Sequence, residues 1–203
     1  MYRLTNIHYN TSSVVVDNLY SQFHQHPNIG IACLYADYKD QPNQTLVHIL
    51  GSFLRQFLTT ATEPIPDEVI QELQGIRLRG GKLGTEESLA LLKTRLHQLK
   101  HAFICIDAVD ELEPKVRWQL LNILKELGAK NIHLFLTGRD HAVIDIQNYL
   151  QVGQRFQVVI GAGHQDIEAF LREQIADDPY PDAMDQELIE DIVDAIIKKS
   201  QGM

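Results

Sequence analysis

A chain of 203 residues with 44% hydrophobic and 22% charged residues has the apolar content of one packed α/β-sized core, which excludes a disordered chain. Its 27 acidic residues against 18 basic ones leave a formal net charge of −9, which argues against nucleic acid as a partner, because that affinity rests on clustered Lys and Arg. No apolar run approaches the ~18–20 residues that cross a bilayer, no apolar segment follows Arg3 as in a signal peptide, and Cys33 and Cys105 sit in apolar runs as small hydrophobes, so a cytoplasmic chain in a reducing compartment is expected, with no membrane partner.

Taken in chain order, Ser12 or Ser13 is placed to cap a helix running to about His24, with Val15, Val16, Leu19, Tyr20 and Phe23 at helical spacing. Ile29–Ala36 is a short apolar run between turn signals and reads as a buried strand. Gln44–Leu58 carries Leu46, Val47, Leu50, Phe53, Leu54, Phe57 and Leu58 on one helical stripe, ended by Pro64 and Pro66. A shorter helix is expected over Asp67–Gln74, then a Gly- and Lys/Arg-rich loop over Gly75–Gly84, whose basic stretch Ile76–Lys82 reads as a solvated loop. Thr85 to about Lys100 is amphipathic, with Leu89, Leu92, Leu96 and Leu99 inward.

Ala102–Ile106 is the next buried strand. A helix then runs from Pro114 in its first turn to Leu127, with Gly128 placed to end it. Ile132–Thr137 reads as a strand, Ala142–Leu150 as a helix, and Phe156–Ile160 as a strand ended by Gly161 and Gly163. Gln165–Ile175 follows as a helix with Ile167, Phe170, Leu171 and Ile175 inward, and Asp185–Lys199 as the last. Alternating helices and continuously apolar strands are the pattern of a parallel sheet covered on both faces.

The residues with chemistry cluster after two of these strands. In Ala102–Leu112, AFICIDAVDEL, an apolar strand leads into Asp107, and Asp110 and Glu111 follow. Ligands of parallel α/β sheets sit at the carboxyl ends of the strands. A carboxylate there can hold Mg²⁺ beside nucleotide phosphates, and a second a few residues on can orient or deprotonate water. Asp107 is therefore the Mg²⁺ candidate, and Glu111 or Asp110 the water-activating candidate; the plainer alternative is that all three cap the helix beginning near Pro114. In Leu134–Asp140 a strand ends in Thr137, and Arg139 follows at the same sheet edge, where it can sense a γ-phosphate or simply pair with Asp140 or Asp107. The nine histidines are scattered; the His24/His26 and His97/His101 spacings lack a familiar ligand pattern and read as exposed residues.

The ordered set resembles the NACHT-type signalling NTPases of the STAND class, and in particular the nephrocystin-like N-terminal module of fungal NLR-like receptors. Ser12–Leu19 looks like the helix after the phosphate loop, Ile31–Asp37 like the second strand, Phe103–Leu112 like Walker B with its acidic extension, and Leu134–Arg139 like the sensor-1 strand. Gly161–Leu171 looks like the start of the helical lid, and Ser200–Met203 like the first residues of a further helix. The resemblance implies a three-layer P-loop-like sheet over residues 1–161, incomplete at its first strand, and a truncated lid segment over 162–203. It also implies Mg²⁺ with ATP or GTP as cofactors, and an effector domain and self-association as partners.

The departure lies in the phosphate cradle. No G-x-x-x-x-G-K-[ST] occurs; Gly80-Gly81-Lys82 follows a loop and is not followed by Ser or Thr. On the family pattern the Lys position falls at His8 and the Ser/Thr position at Tyr9, and Tyr2–Ile7 would have to replace the first strand. The expectation is a fragment or degenerate NTPase module that acts through protein contacts, with weak or no nucleotide binding. The alternative is an active Mg²⁺-dependent ATP- or GTP-hydrolysing switch; an unrelated doubly wound binding domain is a third reading.

Overall fold

The computed structural model describes residues 6–23, 26–60, 64–128, 131–150, 158, 163–178 and 184–200. The chain divides into two compact units, Met1–Gly153 and Gln154–Met203.

The first unit is α/β. Helix α1 (Asn6–Phe23) precedes strand β1 (Ile29–Tyr35); α2 (Leu46–Thr60), α3 (Asp67–Leu78) and α4 (Thr85–Gln98) lead to β2 (His101–Asp107); α5 (Pro114–Leu127) connects to β3 (Ile132–Leu136), which α6 (Asp140–Tyr149) follows. The three strands form one parallel sheet in the order β1-β2-β3. Ala32 lies beside Ile104, which lies beside Leu134. Parallel strands need long crossovers, and helices supply them here.

One sheet face is packed densely. Ala32, Ala102, Ile104 and Ile106 meet Leu50, Phe53 and Phe57 of α2, Leu92 and Leu96 of α4, and Leu120, Leu121 and Leu124 of α5 in a single buried cluster. At Gly30, a side chain would lie 2.6 Å from both Leu99 and Phe57, so the helix layer comes this close only over glycine. Over β1 and β2 the other face is packed by α1, whose Phe23 stacks on Phe103 at 5.5 Å; Phe103 in turn stacks on the exposed His133 of β3 at 4.9 Å.

The outer edge of β1 is closed by a side chain. The Gln56 amide accepts from Cys33 N at 2.8 Å and donates to Cys33 O at 2.9 Å, occupying two backbone groups that would otherwise recruit another strand.

Several boundaries differ from the sequence reading. Helix α1 begins at Asn6, so Ser12 and Ser13 lie inside it instead of capping it, and Asn6 and Ile7 are helical where a replacement strand was expected; residues 2–5 lie outside the described residues. Ser12, inside the helix, turns its hydroxyl to a partner on the sheet, described below. Helix α3 continues through Gly75 to Leu78, past the expected loop boundary. It closes at Gly80, at φ +64°, where Gly80 N donates to Arg77 O and Gly81 N to Ile76 O, the paired bonds that satisfy the last carbonyls when a left-handed residue ends a helix. The expected strand Phe156–Ile160 falls outside the described residues except Val158, which is exposed and in no strand.

The second unit holds α7 (His164–Ala176) packed with α8 (Gln186–Ser200). Asp185 accepts from Leu188 N at 2.8 Å at the start of α8. Arg172 joins the helices by a two-pronged pair with Glu190 at 3.2 and 2.9 Å and also bonds Glu168 at 2.9 Å. Its hydrogen bonds hold the Glu190 carboxyl below the usual range. Helix α7 has no fully buried residue; of the four positions expected inward, Ile167, Leu171 and Ile175 are partly buried and Phe170 is 37% exposed. Among the described residues no helix is long and apolar enough to cross a membrane.

The aromatic row on the α1 face carries a pH dependence. Burial, reinforced by the neighbouring His101, lowers the His133 pKa from its ordinary 6.5. The unfolded chain therefore takes up this proton at a higher pH than the folded chain does, and stability falls as pH drops through about 6.5. A His133→Phe variant is expected to lose less stability over that interval in urea titrations at stepped pH. Parallel pH profiles for the two proteins would show that His133 contributes nothing.

Candidate functional site

The carboxyl ends of β2 and β3 meet the first half of α1 around one buried acid. Asp107, the last residue of β2, is 3% exposed. Its Oδ1 accepts from Ser12 Oγ of α1 and from Thr137 Oγ1 beyond β3, each at 2.5 Å. Thr137 Oγ1 also accepts from Ala108 N at 2.9 Å. Backbone bonds close the same corner, with Thr137 N donating to Ile106 O and Val109 N to Thr137 O, both at 2.9 Å. Ala108 stands in the left-handed region at φ 52°, uncommon for a residue with a side chain. That turn sends Val109–Glu111 back along the sheet edge as one 3₁₀ turn.

The turn sets the two following acids on separate partners. Asp110, its side chain 4% exposed, accepts from Arg139 N at 3.2 Å and faces Arg139 Nε at 3.7 Å and His141 Nε2 at 3.9 Å. Glu111, 14% exposed, accepts from Tyr38 N at 3.3 Å and faces Arg139 Nη2 at 3.9 Å. Neither acid caps α5, whose first flanking residue is Glu113 with no side-chain capping bond. Arg139 thus faces Asp110 and Glu111; the sequence reading had it sense a γ-phosphate or, as the plainer alternative, pair with Asp140 or Asp107.

All four expected residues, Asp107, Asp110, Glu111 and Arg139, therefore gather at one edge of the sheet, in two groups: Asp107 with the hydroxyls, and Asp110 and Glu111 with Arg139. The first group offers only oxygen ligands (Ser12 Oγ, the Asp107 carboxylate and Thr137 Oγ1), a donor set that suits Mg²⁺. Among the described residues no group of three or more His, Cys, Asp or Glu is arranged around a metal ion, so a cation here would draw its remaining ligands from phosphate or water.

Sequence reasoning missed two residues. Ser12 was read as a cap, and its bond to an acid 95 positions away has no local signature. Arg95 is fully buried in α4, donating to Phe57 O, Pro64 O and Gln98 Oε1, each at 3.1 Å. Its signal was present, because Arg95 falls on the stripe of Ser88, Leu92 and Leu99, where a charge signals a buried partner.

A family model described as Nephrocystin 3, N-terminal, matches residues 10–139, more than half of the chain and, with Ser12 and Thr137, all four of Asp107, Asp110, Glu111 and Arg139. No curated protein and no solved structure matches significantly.

Proposed function

The chain belongs to the nephrocystin 3 N-terminal family, and from that premise we propose that it is a degenerate NACHT-type NTPase module of a cytoplasmic STAND or NLR-like signalling protein. It works through protein contacts, with an effector domain and by self-association, and binds nucleotide weakly or not at all. Residues 1–161 are its core and 162–203 its lid segment.

The observation that carries this reading is the state of Asp107. The acid that would serve Mg²⁺ accepts hydrogen bonds from both Ser12 and Thr137 on one oxygen and so ties α1 to the ends of β2 and β3. Two sequence features agree: His8 and Tyr9 stand where the family has its phosphate-binding Lys and Ser/Thr, and no Gly-rich phosphate loop is present. Without backbone amides and a Lys to cradle phosphates, the largest electrostatic contribution to nucleotide binding is gone.

One observation favours the active switch instead. Arg139 is 69% exposed and its ion pairs are long, at 3.7 and 3.9 Å, so they hold it weakly and leave the guanidinium within reach of an anion. Mg²⁺, if bound, would supply charge neutralisation to a phosphate; Asp107 would hold it, Glu111 or Asp110 would orient water, and Arg139 would meet the γ-phosphate.

Calorimetry with Mg-ATP and Mg-GTP on the whole chain decides between them. No heat up to millimolar nucleotide is the expected result. Micromolar binding abolished by Asp107→Ala would establish the active switch.

A further inference from the structure

At the start of β2, at the opposite end of the strand from Asp107, His101 Nδ1 faces His133 Nε2 at 3.1 Å. His133 lies beside Phe103 in the strand register, so the two rings meet across neighbouring strands, 32 positions apart in sequence, and neither histidine was singled out with the other by spacing. The geometry points to a two-histidine site for a single borderline transition-metal ion such as Zn²⁺, Ni²⁺ or Cu²⁺, held by His101 Nδ1 and His133 Nε2.

The distances carry the assignment. Metal–imidazole bonds are about 2.0–2.1 Å long, so two nitrogens on one ion stand about 2.9 Å apart at a right angle and about 3.4 Å at the tetrahedral angle. The observed 3.1 Å falls between these limits. On the same bond length, ring centroids on a tetrahedral ion lie about 5.2 Å apart, and here they lie 5.3 Å apart. The two nitrogens therefore need only small ring rotations to share an ion.

The surroundings suit a metal ligand. His133 is stacked at 4.9 Å on Phe103, which is itself stacked on Phe23, so the ring is held in place before any ion arrives. The site opens to solvent on the His133 side, which gives an ion a path in. The ligands are neutral imidazoles, which select borderline ions over Mg²⁺ or Ca²⁺. Without metal, one N–H bridges the two nitrogens. On metal uptake the donating ring carries its proton on its other nitrogen, so both rings stay neutral and no net proton is released. Among the described residues no third His, Cys, Asp or Glu completes the set, which leaves the other coordination positions to water or to an external ligand.

The test uses the whole chain and Cu²⁺ or Zn²⁺ alone. Titration calorimetry is expected to show one Zn²⁺ per chain, and electron paramagnetic resonance of the Cu²⁺ form to show two coupled imidazole nitrogens. His101→Gln and His133→Gln are each expected to weaken binding by at least about tenfold, while His97→Gln, on the exposed side of α4, leaves it unchanged. Circular dichroism checks that the variants fold, and the wild-type resonance spectrum stands without any variant. No binding, a spectrum with a single coupled nitrogen, or binding indifferent to both substitutions would overturn the assignment; the last result would place the ion on other histidines.

Discussion

Asp107→Ala is expected to lower the stability of the chain by about 3 kcal/mol, a fall in Tm of roughly 6–12 °C for a chain of this size. The substitution removes the common acceptor of Ser12 and Thr137, and Ser12 is itself 2% exposed, so water cannot take the place of the lost bond. Each buried hydroxyl left without an acceptor costs about 1–3 kcal/mol. Asp107→Asn keeps an acceptor oxygen in the same place and is expected to lose less. The sign of the effect matters more than its size. An acid kept for nucleotide chemistry is buried at a cost to stability, and removing it commonly stabilises the fold. An acid that has become a clamp destabilises when it is removed. Thermal unfolding followed by circular dichroism measures this directly, and an unchanged or raised Tm for Asp107→Ala would sink the clamp reading.

Arg95→Ala is expected to cost more, about 3–5 kcal/mol, because it leaves several buried acceptors without a donor at about 1–3 kcal/mol each. The side chain is fully buried, and its bonds at 3.1 Å among the described residues satisfy Phe57 O in the last turn of α2, Pro64 O after it, and Gln98 Oε1. The last carbonyls of a helix have no partner within the helix, and a cation there also meets the negative end of the helix dipole. The guanidinium therefore fastens α4 to the end of α2. Arg95→Met keeps most of the apolar stem and separates lost packing from lost bonds. Arg95→Lys keeps the charge but not the planar fork that reaches three acceptors, so only partial recovery is expected. Urea denaturation with an unchanged slope gives these differences. A Met variant as stable as the native chain would show that the three bonds contribute nothing net.

The site was legible in sequence to the extent that its residues follow strand ends. Asp107, Asp110, Glu111 and Arg139 were found because continuous apolar runs mark parallel strands, and a polar residue closing such a run lies at the ligand-binding edge. Their partners were not legible. Glu111 bonds Tyr38 N across 73 positions and Asp107 bonds Ser12 across 95. Local propensity has no term for such distances, so Ser12 was assigned the role a serine usually has near a helix start. The edge cover on β1 was hidden for the same reason: a glutamine inside an amphipathic helix reads as a solvent-facing residue until the strand it caps lies beside it.

By itself, then, the sequence determined the class of fold and the order of the elements from β1 to α6, because the period of apolar residues and the placement of Pro and Gly act within a few residues of the chain. It also determined which acids stand at the sheet edge. Tertiary structure alone decided what those acids do there. Whether Asp107 meets solvent or two hydroxyls, whether Arg139 faces its acids, and whether His101 finds His133 depend on which segments the parallel register brings side by side. That register is set by packing over the whole first unit, where burial and long-range pairing outweigh any local preference.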